Sequence, residues 1–250
     1  GLSRILVSDD GGKAFTTTTT GLPNRVPKPN TMWGRSFPRA LAQHPTDPDI
    51  LYLGMDGDAE GDHPAGGIFR SADGGKTWTR CAGQPGSRRM YYGLAIDPSN
   101  PKRLFWSACG EGGGTWRSED EGATWTHVFT ADTWSFNCEV APSGRVLVGG
   151  KDLHISDDHG ATWTKATAFA DSATVVGIAV DPENEQRIWI SRTTWSSGSE
   201  GGIWRTLDGG KTWEEITGDI PFRKPQILRY DTSTKTLWAG GVGLFTLKQD

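Results

Sequence analysis

Short apolar runs broken by clusters of Gly, Pro, Asn and Asp recur along the whole chain, and none approaches the roughly 20 residues needed to cross a bilayer as a helix. Residues 91–129 show the pattern most fully. YYGLAIDP, RLFWSACG, GTWRSED and ATWTHVF each read as a strand, bounded by turn-forming residues. The first turn of such a set recurs as HPTDPD from His44, DPSNPK from Asp97, APSG from Ala141, DPENEQ from Asp181 and DTSTK from Asp231. Their Pro, Asn and Asp content is turn chemistry. The elements predicted are four antiparallel strands, repeated.

A second turn repeats more strictly. It reads SDDGGKAF from Ser8, SADGGKTW from Ser71, SEDEGATW from Ser118, SDDHGATW from Ser156 and TLDGGKTW from Thr206. A tight turn needs an Asp side chain that can accept bonds from backbone N–H groups, and Asp10, Asp73, Asp120, Asp158 and Asp208 supply it. The Gly two residues later opens the left-handed conformation, and Thr and Trp then lead into the next strand. Such a Trp can bury about 150–250 Å², an upper bound of roughly 4–6 kcal/mol, which suits a peg between sheets. Successive turn aspartates lie 63, 47, 38 and 50 residues apart, the spacing of propeller blades with one long insertion within residues 21–66.

Five such turns resemble the Asp-box, or BNR, signature, over nearly the whole chain. That superfamily includes sialidases, xyloglucanase-like glycoside hydrolases, sortilin-type receptor domains and photosystem II assembly-factor propellers. The resemblance implies an all-β fold, a β-propeller of four-stranded antiparallel blades, with the box as a structural turn between the third and fourth strands. It is closest in texture to the xyloglucanase-like hydrolases, in turns such as HPTDPDILYLG and blades ending GGIFRSADGGKTW. Sialidase activity is disfavoured, because the Arg-Ile-Pro motif of that family is absent.

The expected organisation is a single propeller domain over 1–250, with partial blades at 1–20 and 225–250 and full blades at 36–85, 90–130, 134–168 and 173–218. GLFTLKQ from Gly243 aligns with GIFRSAD from Gly67, but Leu247 and Gln249 stand where the turn has Ser and Asp. Two closures are open. One has five blades, the terminal strands pairing with the first two and residues 243–250 left surplus. The other has six or seven blades, with an N-terminal stretch preceding Gly1.

Up-and-down alternation places the two repeated turns at one end of each blade and the longer, variable loops at the other, where function more often sits. Those loops carry Trp33, Arg35, Arg39, Tyr91, Tyr92, Trp134 and Trp195 as candidate ligand-binding residues. Aromatic platforms beside carboxylates suit sugars, whose ring faces stack while their hydroxyls take hydrogen bonds. The same aromatics would equally serve to seal neighbouring blades. Glycosidic hydrolysis needs two carboxyl groups about 5–5.5 Å or about 6.5–9.5 Å apart, and Asp56, Asp58, Glu111 and Asp132 are eligible.

Composition narrows the partners. A formal charge of −4 with no basic stripe argues against nucleic acid. The run from Asp56 to His63 is acidic but lacks the ligand spacing of a calcium loop, so no metal and no cofactor are expected. Cys81, Cys109 and Cys138 allow at most one bridge, and Cys109 with Cys138 is the pair the loop ends favour. The functional expectation is a carbohydrate-active propeller that binds or hydrolyses a polysaccharide or oligosaccharide. The alternative is a non-catalytic propeller that binds a protein or peptide. A protein partner, or a further N-terminal part of the same propeller, completes the expected partners. The family resemblance implies secretion or a periplasmic location.

Overall fold

A computed structural model describes residues 5–23, 38–55, 66–85, 90–110, 112–167, 169, 171–194, 201–221 and 223–249, although of Met90, Tyr91 and Tyr92 only the backbone is described. Every regular element in these residues is a strand. The chain divides into two compact units, Gly1–Thr133 and Trp134–Asp250.

The first unit holds a two-stranded sheet, β1 (Ile5–Val7) and β2 (Thr16–Thr18), and two four-stranded meanders. One is β3 (Pro38–Gln43), β4 (Leu51–Met55), β5 (Gly67–Ser71) and β6 (Thr79–Arg80). The other is β7 (Met90–Ile96), β8 (Leu104–Ala108), β9 (Gly114–Ser118) and β10 (Thr126–Phe129). The second unit repeats the plan with β11 (Asn137–Val140), β12 (Val146–Gly149), β13 (Leu153–Ser156) and β14 (Thr164–Lys165), then β15 (Thr174–Val180), β16 (Ile188–Thr193), β17 (Gly201–Thr206) and β18 (Glu214–Glu215). A three-stranded sheet of β19 (Ile227–Asp231), β20 (Thr236–Gly240) and β21 (Leu244–Lys248) ends it. The fold is all-β, a β-propeller of four-stranded antiparallel blades.

Leu244–Lys248, within the stretch that one of the two closures would leave surplus, form a paired strand. β21 pairs along β20 from Gly240↔Leu244 to Thr236↔Lys248. Leu247 and Gln249 replace the turn Ser and Asp, but the alternation that turns Leu247 into the core is intact and suffices for a strand.

The repeated turn works through two side chains. In SADGGKTW, Ser71 Oγ donates to Asp73 Oδ1 at 2.7 Å and accepts from Gly75 N at 2.9 Å, while Asp73 accepts from Thr77 N at 2.9 Å and Thr77 Oγ1 at 2.6 Å. The turns at Asp120, Asp158 and Asp208 repeat these bonds. At Asp10 the hydroxyl partner is lost to Ala14, whose N–H alone is bound. The left-handed stretch is two residues long, since Glu121 and His159 also take positive φ (58° and 56°) ahead of their glycines.

These turns sit beside the first turns of their own sheets. Gly74 N donates to Asp49 O, Glu121 N to Lys102 O and Gly209 N to Gln186 O, at 2.9–3.0 Å. The loops between second and third strands therefore fall at the opposite end.

Sheets are joined face to face. Tyr52 and Ile68 share a core with Leu94, Leu104 and Trp106, Leu147 and Leu153 with Ile188 and Ile190, and Trp189 and Ile203 with Leu228 and Leu237. Trp78, Trp125 and Trp213 face the preceding sheet. Trp213 Nε1 donates to Ala166 O, just past β14, as well as to Gly210 O in its own turn, both at 3.1 Å. This inward rotation explains why the fourth strands β6 and β18 begin only after the Trp and run for two residues.

Candidate functional site

At the loop end of the β7–β10 sheet, the segment joining β8 to β9 is bound to the chain leaving β10. Gly110 N donates to Thr133 O at 2.9 Å, and Gly113 N to Gly110 O at 2.8 Å. A β-carbon at Gly113 would overlap the Thr133 carbonyl, so only Gly allows this approach. Trp116 and His127 stack, with centroids 4.2 Å apart and planes 3° from parallel. Trp116 Nε1 donates to Gly112 O and His127 Nε2 to Gly113 O, both at 2.9 Å. A carbonyl only accepts, so His127 carries its proton on Nε2. Asp132 lies half-buried on the second of these segments. Glu111, between Gly110 and Gly112, is outside the described residues.

In the second unit the corresponding end of the β15–β18 sheet holds a buried cation. Arg192, on β16, is 1% exposed. It forms a two-point ion pair with Asp171, donating from Nη1 to Oδ2 at 3.1 Å and from Nη2 to Oδ1, and it lies 3.6 Å from the Phe169 ring centroid. Trp204 meets Phe169 edge-on at 5.0 Å. The guanidinium hydrogen bonds hold the Asp171 carboxyl below the ordinary carboxylate range. Arg192 Nε is buried with no hydrogen-bond partner among the described residues. At the same sheet end, Arg223 pairs with Glu215, and Thr217 Oγ1 donates to Glu215 Oε1 at 2.8 Å while accepting from Ile203 N at 2.9 Å.

Of the residues expected to bind ligand, Arg39 stands half-buried in β3 where the register shifts between Pro38 and Ala40. Tyr91 and Tyr92 occupy the equivalent irregularity of β7, between Met90 and Gly93. Such bulges re-aim side chains at the rim of a sheet. Trp134 is 46% exposed, with its ring 6.4 Å from that of Phe136. Trp33, Arg35, Asp56, Asp58 and Trp195 lie outside the described residues. The sequence reading missed Arg192, Asp171 and the Trp116–His127 stack. Only their places beside the loops hinted at them, since an arginine three residues before a loop Trp looks like any solvated charge. The expected Cys109–Cys138 bridge is not made, since none of the three cysteines is in a disulfide; Cys109 and Cys138 are buried, and the half-buried Cys81 thiol is pushed up by burial to about 11. The described residues contain no cluster of three metal-ligating side chains and no helix long and apolar enough to cross a membrane.

Strands, turns and loop ends thus define a β-propeller of four-stranded blades. No family model matches the chain. It is 30% identical over 240 residues to a xyloglucanase from Paenibacillus sp., a match covering 84% of this chain and 19% of that one. The chain spans 19–30% of the length of the curated relatives it matches. Among solved structures it is similar to an ancestral GH74 enzyme, with TM-score 0.65 and 16% identity over all of this chain and 37% of that one. It is similar also to YCF48 bound to D1 peptide, with TM-score 0.62 and 19% identity over 99% of this chain and 72% of that one. Identities this low speak to the fold alone.

Proposed function

We propose that this chain is a carbohydrate-active propeller of the Asp-box type, folded as a single domain over 1–250, that binds a xyloglucan-like polysaccharide on its loop ends. The observation that carries the reading is the 30% identity to a xyloglucanase across 240 residues. The loop ends fit it chemically. Exposed Trp134 offers an apolar platform for a sugar ring, and Asp132 offers an acceptor for hydroxyls. Hydrolysis would pair Asp132 with a second carboxyl from Asp56, Asp58 or Glu111, one as general acid and the other as base or nucleophile.

Electrophoresis through gels containing xyloglucan tests binding. The expected result is retardation that Trp134→Ala weakens by about tenfold, the loss of one stacking contact of roughly 1.5 kcal/mol. Chromogenic glycosides then test hydrolysis, which Asp132→Asn should abolish without loss of binding. A blank glycan array together with blank glycosides would end the carbohydrate reading in favour of a peptide-binding propeller.

A further inference from the structure

We propose that Asp171 and Arg192 form a further binding subsite, at the loop end of the β15–β18 sheet, that takes a hydroxyl of a neutral sugar. The proposal rests on the carbohydrate reading above and adds a subsite on a blade to which that reading assigns no residue.

Strand register shows that Arg192 departs from the repeat. Met55, Ala108 and Arg192 hold one equivalent position near the end of the second strand, each opposite a glycine of positive φ, namely Gly67, Gly114 and Gly202. All three side chains are 0–1% exposed. Two blades fill the position with an apolar group, and the third fills it with a guanidinium. A buried ion pair is often no more stable than apolar side chains of similar volume, so packing alone does not account for the exchange. Arg192 Nε, buried without a partner among the described residues, adds to its cost.

What the exchange provides is a carboxylate in a fixed place. Asp171 Oδ1 accepts from Arg192 Nη2 and, at 3.0 Å, from Ala173 N, which occupies both of its lone pairs. Oδ2 accepts from Arg192 Nη1 at 3.1 Å and keeps its second lone pair among the described residues. The guanidinium is 1% exposed and the carboxylate 36%, so the pair is rooted in the core and ends at the surface. Half-buried Phe169 covers the guanidinium and meets Trp204 edge-on. An apolar ring beside a fixed acceptor is what a sugar face and its hydroxyl require.

Charge selects the ligand. Arg192 and Asp171 sum to zero, so neither a cation nor an anion gains a net attraction, whereas the O–H of a neutral sugar donates to a carboxylate more strongly than to a neutral acceptor.

Calorimetric titration of the full chain with xyloglucan oligosaccharides, and with an oligogalacturonate as their charged counterpart, tests the subsite. The chain should bind the neutral sugar and not the uronate. Asp171→Ala, at an exposed position that should leave the fold intact, should weaken binding by about tenfold or more, the loss of one hydrogen bond to a charged group. Arg192→Met restores the side chain found at Met55 and should weaken binding similarly, because the carboxylate is no longer held. Arg192 is the charged group that acts on Asp171 among the described residues, and it keeps that carboxyl below the ordinary range. Binding by Arg192→Met should therefore be lost at a higher pH than binding by the parent, a shift that a packing role would not produce. Parent binding that Asp171→Ala leaves intact would overturn the subsite alone, with the carbohydrate reading still standing. A uronate bound as tightly as the neutral sugar would also overturn the subsite. A parent that binds neither oligosaccharide would overturn both.

Discussion

Ser118 Oγ donates to Asp120 Oδ1 at 2.8 Å and accepts from the buried Gly122 N–H at the same distance. Truncation to Ala would leave that N–H buried without an acceptor, a cost of about 1–3 kcal/mol. Urea unfolding of Ser118→Ala should therefore show a lower midpoint at unchanged slope, whereas Thr at the same place, as at Thr206, should retain most of the stability. The motif was legible at this scale because each residue type performs a local task that does not depend on the rest of the fold. Arg192 was not. Its significance comes from 1% exposure and from Asp171, 21 residues away in sequence.

At the scale of elements, the chain leaving β2, β6 and β14 runs close beneath the turn of the following sheet. A β-carbon at Gly83, just past β6, would overlap the carbonyl of Ala123, which lies in the turn between β9 and β10. Gly83→Ala should cost roughly 1–3 kcal/mol through forced displacement of one sheet against another. Thermal unfolding followed by Trp fluorescence would measure it. The substitution leaves the strands themselves untouched, so a melting temperature equal to the parent's would refute the close approach. Strand number and order followed from alternation and turn spacing. Fourth-strand lengths did not, because Trp78, Trp125 and Trp213 leave the ladder to face the preceding sheet.

Across the whole molecule, the turn aspartates act in parallel. Hydrogen bonds from Thr77 and Ser71 lower Asp73 to about 2, and those from Ser233 and Thr234 lower Asp231 to about 2. Threonine hydroxyls and amides draw Asp158 and Asp208 lower still, and Asp10 and Asp120 move in the same direction. A carboxyl lowered in the folded state stabilises it fully above the unfolded value of 3.8 and loses that contribution as pH falls through the folded value. Stability should thus drop between about pH 4 and pH 2, and the urea midpoint measured across that range should fall. The drop should be shallower in Asp73→Asn, which has one fewer group to protonate.

By itself the sequence determined the blades. Five copies of one turn and a period of two in the strands are local and repeated, and local interactions need no knowledge of distant chain. Only the tertiary structure decided what the loop ends present. The burial of Arg192 against Phe169 and the stack of Trp116 on His127 both depend on which segments meet in space, which no local pattern of residues specifies.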